Sequence, residues 1–101
     1  MTESEIEQKM KEAIKARGGL FIKFVSPSTV GVPDRIVIAP DGRIYFVELK
    51  KEGGTLSPMQ RYMHGVFRRH NVEVYTLTGL QECLDFVKEV FDNEKKEGGA
   101  T

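Results

Sequence analysis

Apolar residues recur along this chain in two rhythms. Near the start, Ile6, Met10 and Ile14 stand four apart with polar residues between them, the stripe of an amphipathic helix. Ser4 followed three residues later by Glu7 reads as its capping box, and Gly18-Gly19 ends it. The rhythm then shortens. Residues 20–25, Leu-Phe-Ile-Lys-Phe-Val, are aromatic and β-branched, as a strand favours. A loop broken by Pro27 and Pro33 leads to two more strands, 34–39 and 43–50, around Pro40-Asp41-Gly42. A polar loop follows, and Ser57-Pro58 supplies an N-cap with proline in the first helical position, opening a helix to about His70. Residues 72–77 read as a further strand. Leu80, Leu84, Val87 and Phe91 then mark a last helix beginning at Thr78 or Gly79. The predicted order is α-β-β-β-α-β-α, an α/β fold with a small mixed sheet flanked by helices.

Composition narrows the class. The 101 residues are 40% apolar and 30% charged, which suits one globular domain with a single core. The domain is expected over residues 1–94, with a flexible polar tail over 95–101. No apolar run approaches the ~20 residues of a membrane span, and the first twelve residues lack a signal-peptide core. A cytoplasmic location is expected. The lone Cys83 excludes an intramolecular disulfide and a cysteine-based zinc site, and its place beside Leu84 and Val87 assigns it to packing.

Fifteen basic residues balance fifteen acidic ones, which argues against binding a polyanion by bulk charge. The balance is uneven along the chain. Residues 20–75 carry eight basic against five acidic residues, and residues 76–101 three against six. A basic middle can still face a polyanion, most easily when a dimer or a divalent cation adds positive charge.

The middle hairpin carries the candidate chemistry. Pro40-Asp41-Gly42 suits a type I turn with glycine in the left-handed position, a three-residue loop with a bulge. Paired residues then have numbers summing to 82, so Asp34 faces Glu48, with Ile36 opposite Phe46 and Ile38 opposite Ile44 as an apolar layer beneath. Lys50, two residues after Glu48, shares that face. A two-residue Asp41-Gly42 turn would instead set Asp34 against Leu49 and disperse the cluster; the shared apolar face favours the first register. Adjacent carboxylates repel unless a cation lies between them, and hard oxygen donors suit Mg²⁺ or Mn²⁺. With Lys50 beside them, the chemistry indicated is metal-assisted phosphodiester hydrolysis. A cluster of this kind is also common as plain surface ion pairing, worth ~0–1 kcal/mol.

Gly31-Val32-Pro33-Asp34-Arg35, then Val47-Glu48-Leu49-Lys50, then Ser57-Pro58-Met59-Gln60 together resemble the PD-(D/E)XK nuclease superfamily, and within it the VRR-NUC (virus-type replication-repair nuclease) family. The resemblance runs from Glu7 to about Phe91. It implies a restriction-endonuclease-like core and a DNA endonuclease dependent on Mg²⁺ or Mn²⁺, with no organic cofactor. It makes Asp34, Glu48 and the Leu49 backbone carbonyl metal ligands. Lys50 would orient or activate the attacking water, and Gln60 would help place substrate or water. Glu7 corresponds to the acidic residue near a second metal position, with Glu5 or Glu3 as substitutes; its bland alternative is the capping box. Stand-alone relatives and archaeal Holliday-junction resolvases imply a homodimer cutting branched DNA in a bacterial or phage-infected cell.

Around the site, Lys23, Ser26, Ser28, Thr29 and Arg35 are candidate phosphate donors. Arg61, Arg68 and Arg69, with His64 and His70, make the middle helix basic, which suits either a phosphate-facing side or simple solvation. The two histidines do not share a face, so they form no metal pair. Tyr62, Phe67 and Tyr75 fit the core better than an interface. The sequence thus fits a metal-dependent DNA endonuclease, structure-specific or structure-blind, or a non-catalytic nucleic-acid-binding subunit that keeps the fold.

Overall fold

The computed structural model describes residues 1–92. In chain order the elements are α1 (Glu3–Ala16), β1 (Leu20–Lys23), β2 (Arg35–Ile38), β3 (Ile44–Lys50), α2 (Pro58–Arg69), β4 (Val74–Thr78), α3 (Gly79–Val87) and a π-helical turn, Lys88–Asp92. The four strands form one sheet in the order β1-β2-β3-β4. The first three pair antiparallel, and β4 joins β3 in parallel after the α2 crossover, since a parallel return needs a long connection. The expected order and the mixed sheet are both present. The predicted tail over 95–101 lies outside the described residues.

The two sheet faces are unequal. Odd-numbered positions of β2 and β3, among them Val37, Val47 and Leu49, are buried under α1 and α3, as is Ala39 just beyond β2. Ile6, Met10 and Ile14 of the first helix pack there with Cys83, Phe86, Val87, Val90 and Phe91. On the even face α2 covers the β3–β4 half, where Phe67 meets Phe46 edge-on with ring centroids 5.5 Å apart.

The hairpin has the summed register. Arg35 pairs with Val47, Ile36 with Phe46 and Ile38 with Ile44. Gly42 takes φ +93°, its N–H donates to the Ala39 carbonyl at 2.9 Å, and the Ala39 N–H donates to Arg43 at 2.9 Å. The apolar layer of Ile36, Ile38, Ile44 and Phe46 is not the core, however. It is the more open face, with Ile44 56% exposed.

Several local expectations shift. The capping box of α1 is Thr2 with Glu5, not Ser4 with Glu7: the Glu5 N–H donates to Thr2 Oγ1 at 3.2 Å, and the Thr2 N–H to Glu5 Oε1 at 2.8 Å. Strand β1 ends at Lys23, two residues early. In the last helix Leu84 is 37% exposed, and the buried stripe runs through Cys83, Phe86 and Val87 instead. Cys83 does pack in the core, where burial pushes its thiol up to about 12 and removes it as a nucleophile.

The loop before β2 is fixed against the start of α2. Gly31 sits at φ +91°, and a Cβ there would lie 2.3 Å from the Met59 carbonyl oxygen. Gly31→Ala is therefore expected to destabilise the protein by about 2 kcal/mol or more, through left-handed strain plus the clash. Urea unfolding and a thermal midpoint lowered by roughly 10 °C would show it.

Candidate active site

Asp34 and Glu48 sit at one end of the hairpin. Asp34 immediately precedes β2 and Glu48 follows Val47 on β3, so the observed register sets them opposite each other. Their surroundings differ. Glu48 is 1% exposed, whereas the Asp34 side chain is about one third exposed (35%). Burial, and next the charge of Asp34, push the Glu48 carboxyl up to about 7, against the opposing pull of Lys50 and Arg35. Lys50 is half-buried at the end of β3. Its charge favours ionised Glu48 and disfavours protonated His64.

Helix α2 closes over Glu48. Its N-cap Ser57 and Gln60 form a capping box: the Gln60 N–H donates to Ser57 Oγ at 3.1 Å and the Ser57 N–H to Gln60 Oε1 at 2.9 Å. The remaining end of the same amide, Gln60 Nε2, donates to Glu48 Oε2 at 3.2 Å. One turn later His64, fully buried, brings Nε2 to 3.4 Å from Glu48 Oε1. Burial is the main reason that its proton affinity falls, helped by Arg68 and Lys50. A neutral imidazole therefore lies against a carboxyl that is itself reluctant to ionise. Reading the sequence missed this neighbour of Glu48. The available signal was the four-residue spacing from Gln60, which places both on one helix face.

Arg35 corrects an expectation. It was a candidate for phosphate contact, but its side chain is 3% exposed and turned inward. The guanidinium pairs with Glu7 on α1 and with Asp34 Oδ2 at 2.8 Å, and also donates to the Asp34 carbonyl at 3.2 Å. Glu7 thus reaches the site through Arg35. Of the nearby acids, Glu5 closes the helix cap, and Glu3, half-buried, is close enough for its charge to raise Glu48.

The other phosphate candidates lie on the surface. Lys23, Ser28, Thr29, Arg61 and Arg69 are exposed and Ser26 is half-buried. Arg68 is exposed but engaged, with Glu73 at 3.2 Å and the Val74 carbonyl at 3.1 Å. The His70 ring nitrogen lies 2.8 Å from the Val66 carbonyl oxygen. Tyr62, expected in the core, is 60% exposed.

The donor set suits a hard cation. Asp34 Oδ1 and Glu48 Oε1 are both buried without a hydrogen-bond partner, and a carboxylate oxygen can only accept. Such orphan acceptors are costly unless a cation or water satisfies them. Among the described residues no group of three or more His, Cys, Asp and Glu side chains is arranged to hold a metal. A cation held by the two carboxylates would need backbone, water or substrate oxygens to complete its shell, the habit of Mg²⁺.

Comparisons with known proteins place the fold. The VRR-NUC domain model matches residues 2–81. The chain is 44% identical over 62 residues to "Putative nuclease p44" of Acyrthosiphon pisum secondary endosymbiont phage 1, covering 61% of this chain and 67% of that protein. A solved structure described as a VRR_NUC domain superposes with a TM-score of 0.78 at 30% identity, covering 87% of this chain and 96% of the other. Among the described residues no helix is long and apolar enough to cross a membrane.

The raised Glu48 carboxyl sets a sign for stability. In metal-free protein the folded state keeps this proton up to about pH 7, whereas an unfolded glutamate releases it near 4.3. Between those values folding takes up a proton, so this group's contribution falls as pH rises, by about 4 kcal/mol at most. Urea unfolding in EDTA should show wild type losing stability relative to Glu48→Gln from pH 4.5 to 7. Added Mn²⁺ should recover much of that loss in wild type alone.

Proposed function

This chain belongs to the VRR-NUC family and is a nuclease; from that premise we propose that it is a Mg²⁺- or Mn²⁺-dependent DNA endonuclease that acts as a homodimer on branched DNA such as four-way junctions. The observation that carries the metal-dependent reading is the pair of buried, unpartnered carboxylate oxygens of Asp34 and Glu48, set beside Lys50. Asp34, Glu48 and the Leu49 backbone carbonyl would hold the cation. When bound, it supplies Lewis-acid charge to the phosphodiester and to the leaving oxygen.

The chain's own groups do the rest. Lys50 shares the Glu48 face of β3 and brings a compact positive charge to the phosphate, where it stabilises negative charge developing at phosphorus or orients the incoming water by donating an N–H hydrogen bond to its oxygen. Gln60 and His64 fix the Glu48 carboxylate from α2, and Arg35 fixes Asp34 while holding Glu7 on the far side. Lys23 and Arg61, both exposed, are surface donors for backbone phosphates, which position DNA without reading its sequence. Zero net charge fits weak attraction to plain duplex, and a two-fold dimer holds two sites at one separation, as paired cuts in a branched substrate require.

The test is cleavage of sequence-matched linear duplex, flap, splayed arm and four-way junction with Mg²⁺, Mn²⁺ or EDTA. Wild type should give paired, metal-dependent cuts in the junction. Lys50→Ala should lose roughly 100-fold or more in rate, in line with removal of a group that stabilises transition-state charge. Equal cutting of all four substrates would discard branch specificity and keep the nuclease. Folded protein that binds DNA and cuts nothing with either metal would favour a non-catalytic binding subunit.

A further inference from the structure

The resemblance that assigns Asp34 and Glu48 to one cation also sets Glu7 near a second, and the residues present do not fit that second ion. A positive charge already stands between Glu7 and Asp34. Arg35 opens β2, and its guanidinium pairs with Glu7 on α1 and with Asp34 Oδ2 at 2.8 Å. Its Nη1 also donates to the Asp34 carbonyl at 3.2 Å. Both terminal nitrogens are thus engaged, and the side chain is almost wholly buried. Burial opposes the charge, but Glu7 and Asp34 together outweigh it and hold the guanidinium above its ordinary proton affinity. An arginine does not shed its proton to make room for a metal.

The carboxylate oxygens divide accordingly. Glu7 gives Oε2 and Asp34 gives Oδ2 to Arg35. Asp34 Oδ1 and Glu48 Oε1 are left buried without a partner, and among the described residues Glu7 contributes no such oxygen. The open acceptors therefore lie on the Glu48 side of Asp34, away from α1.

Charge leads to the same count. When ionised, Asp34, Glu48, Glu7 and Glu3 carry four negative charges around the site, and Arg35 and Lys50 carry two positive ones. His64 adds none, because burial, with Arg68 and Lys50, disfavours its protonated form. Four less two leaves an excess of two negative charges, which one divalent ion cancels. A second ion would have no charge left to meet and would press against a fixed cation.

We propose that the Arg35 guanidinium stands in place of a second metal ion, so that each chain binds one divalent cation, through Asp34 Oδ1 and Glu48 Oε1. Arg35 is then a positioning residue. It leaves Asp34 a single oxygen for the metal, and it ties α1 to the site through Glu7. The inference rests on the metal-dependent reading above and deepens it by fixing the stoichiometry.

Counting Mn²⁺ on the 101-residue chain without DNA tests it, by equilibrium dialysis and by loss of the free ion's paramagnetic resonance signal. Circular dichroism confirms that each variant folds. Arg35→Met keeps an unbranched apolar stem and removes the charge, and Arg35→Lys keeps the charge. Wild type and Arg35→Lys should saturate at one ion per chain. Arg35→Met should take two, and Arg35→Met combined with Glu7→Gln should return to one. Glu7→Gln alone still offers Arg35 a carbonyl oxygen, so its count and affinity should match wild type; this arm stands even where Arg35→Met does not fold. Two ions on wild type, one on folded Arg35→Met, two on folded Arg35→Lys or the double variant, or an ion lost with Glu7→Gln would each overturn the proposal. Two ions on wild type would do so while leaving the metal-dependent reading intact, whereas a wild type that binds none would remove both.

Discussion

Everything at the candidate site follows from the register between β2 and β3. Side chains alternate faces along a strand, so a slip of one residue would exchange the two faces wholesale. Val37, Val47 and Leu49 would leave the α1–α3 core, and Glu48 would enter it. The three-residue turn, with Gly42 in the left-handed region, blocks that slip locally. Burial of the odd face blocks it globally. The same register that assembles the core therefore sets Asp34 against Glu48 without a dedicated element to do so.

That placement is costly, and the structure distributes the cost unequally. Arg35 is a buried guanidinium whose charge is met by two carboxylates, Glu7 and Asp34. A buried charge with good partners is near break-even, while one left alone costs several kcal/mol. Glu48 is the uncompensated member. It has a hydrogen bond from Gln60 and a neutral histidine alongside, yet one oxygen lacks a partner. The strain is local and electrostatic. A positive charge placed between Glu48 and Asp34 would relieve it, which is the electrostatic basis of the metal-dependent reading proposed above.

Much of this was legible in the sequence, and the omissions have physical causes. The element order, the hairpin register and the Ser57 N-cap ahead of Pro58 could be read because each depends on neighbours in the chain: turn residues, alternation, a capping pattern. Gly-Val-Pro-Asp, Glu-x-Lys and the following Gln indicated the family. What escaped depends on contacts distant in sequence. Arg35 looked like a surface donor until α1 brought Glu7 to it across 28 positions. His64 looked like one more basic residue of α2 until β3 supplied Glu48. The α1 cap fell on Thr2 rather than Ser4 because both offer a hydroxyl with a glutamate three residues on, and local pattern cannot choose between them. Leu84 and Tyr62 faced outward because a stripe predicted from spacing leaves the helix free to rotate by a residue, and only packing settles it.

Gln60 shows how closely folding and chemistry are joined in a chain this short. One amide closes the first turn of α2 through its oxygen and steadies Glu48 through its nitrogen. A glutamate there would keep the cap and set a third negative charge against the two already present. Alanine would surrender both contacts, and asparagine is one methylene shorter. A substitution at this position is thus felt from two directions, through the cap it closes and through the charge or contact it sets beside Glu48.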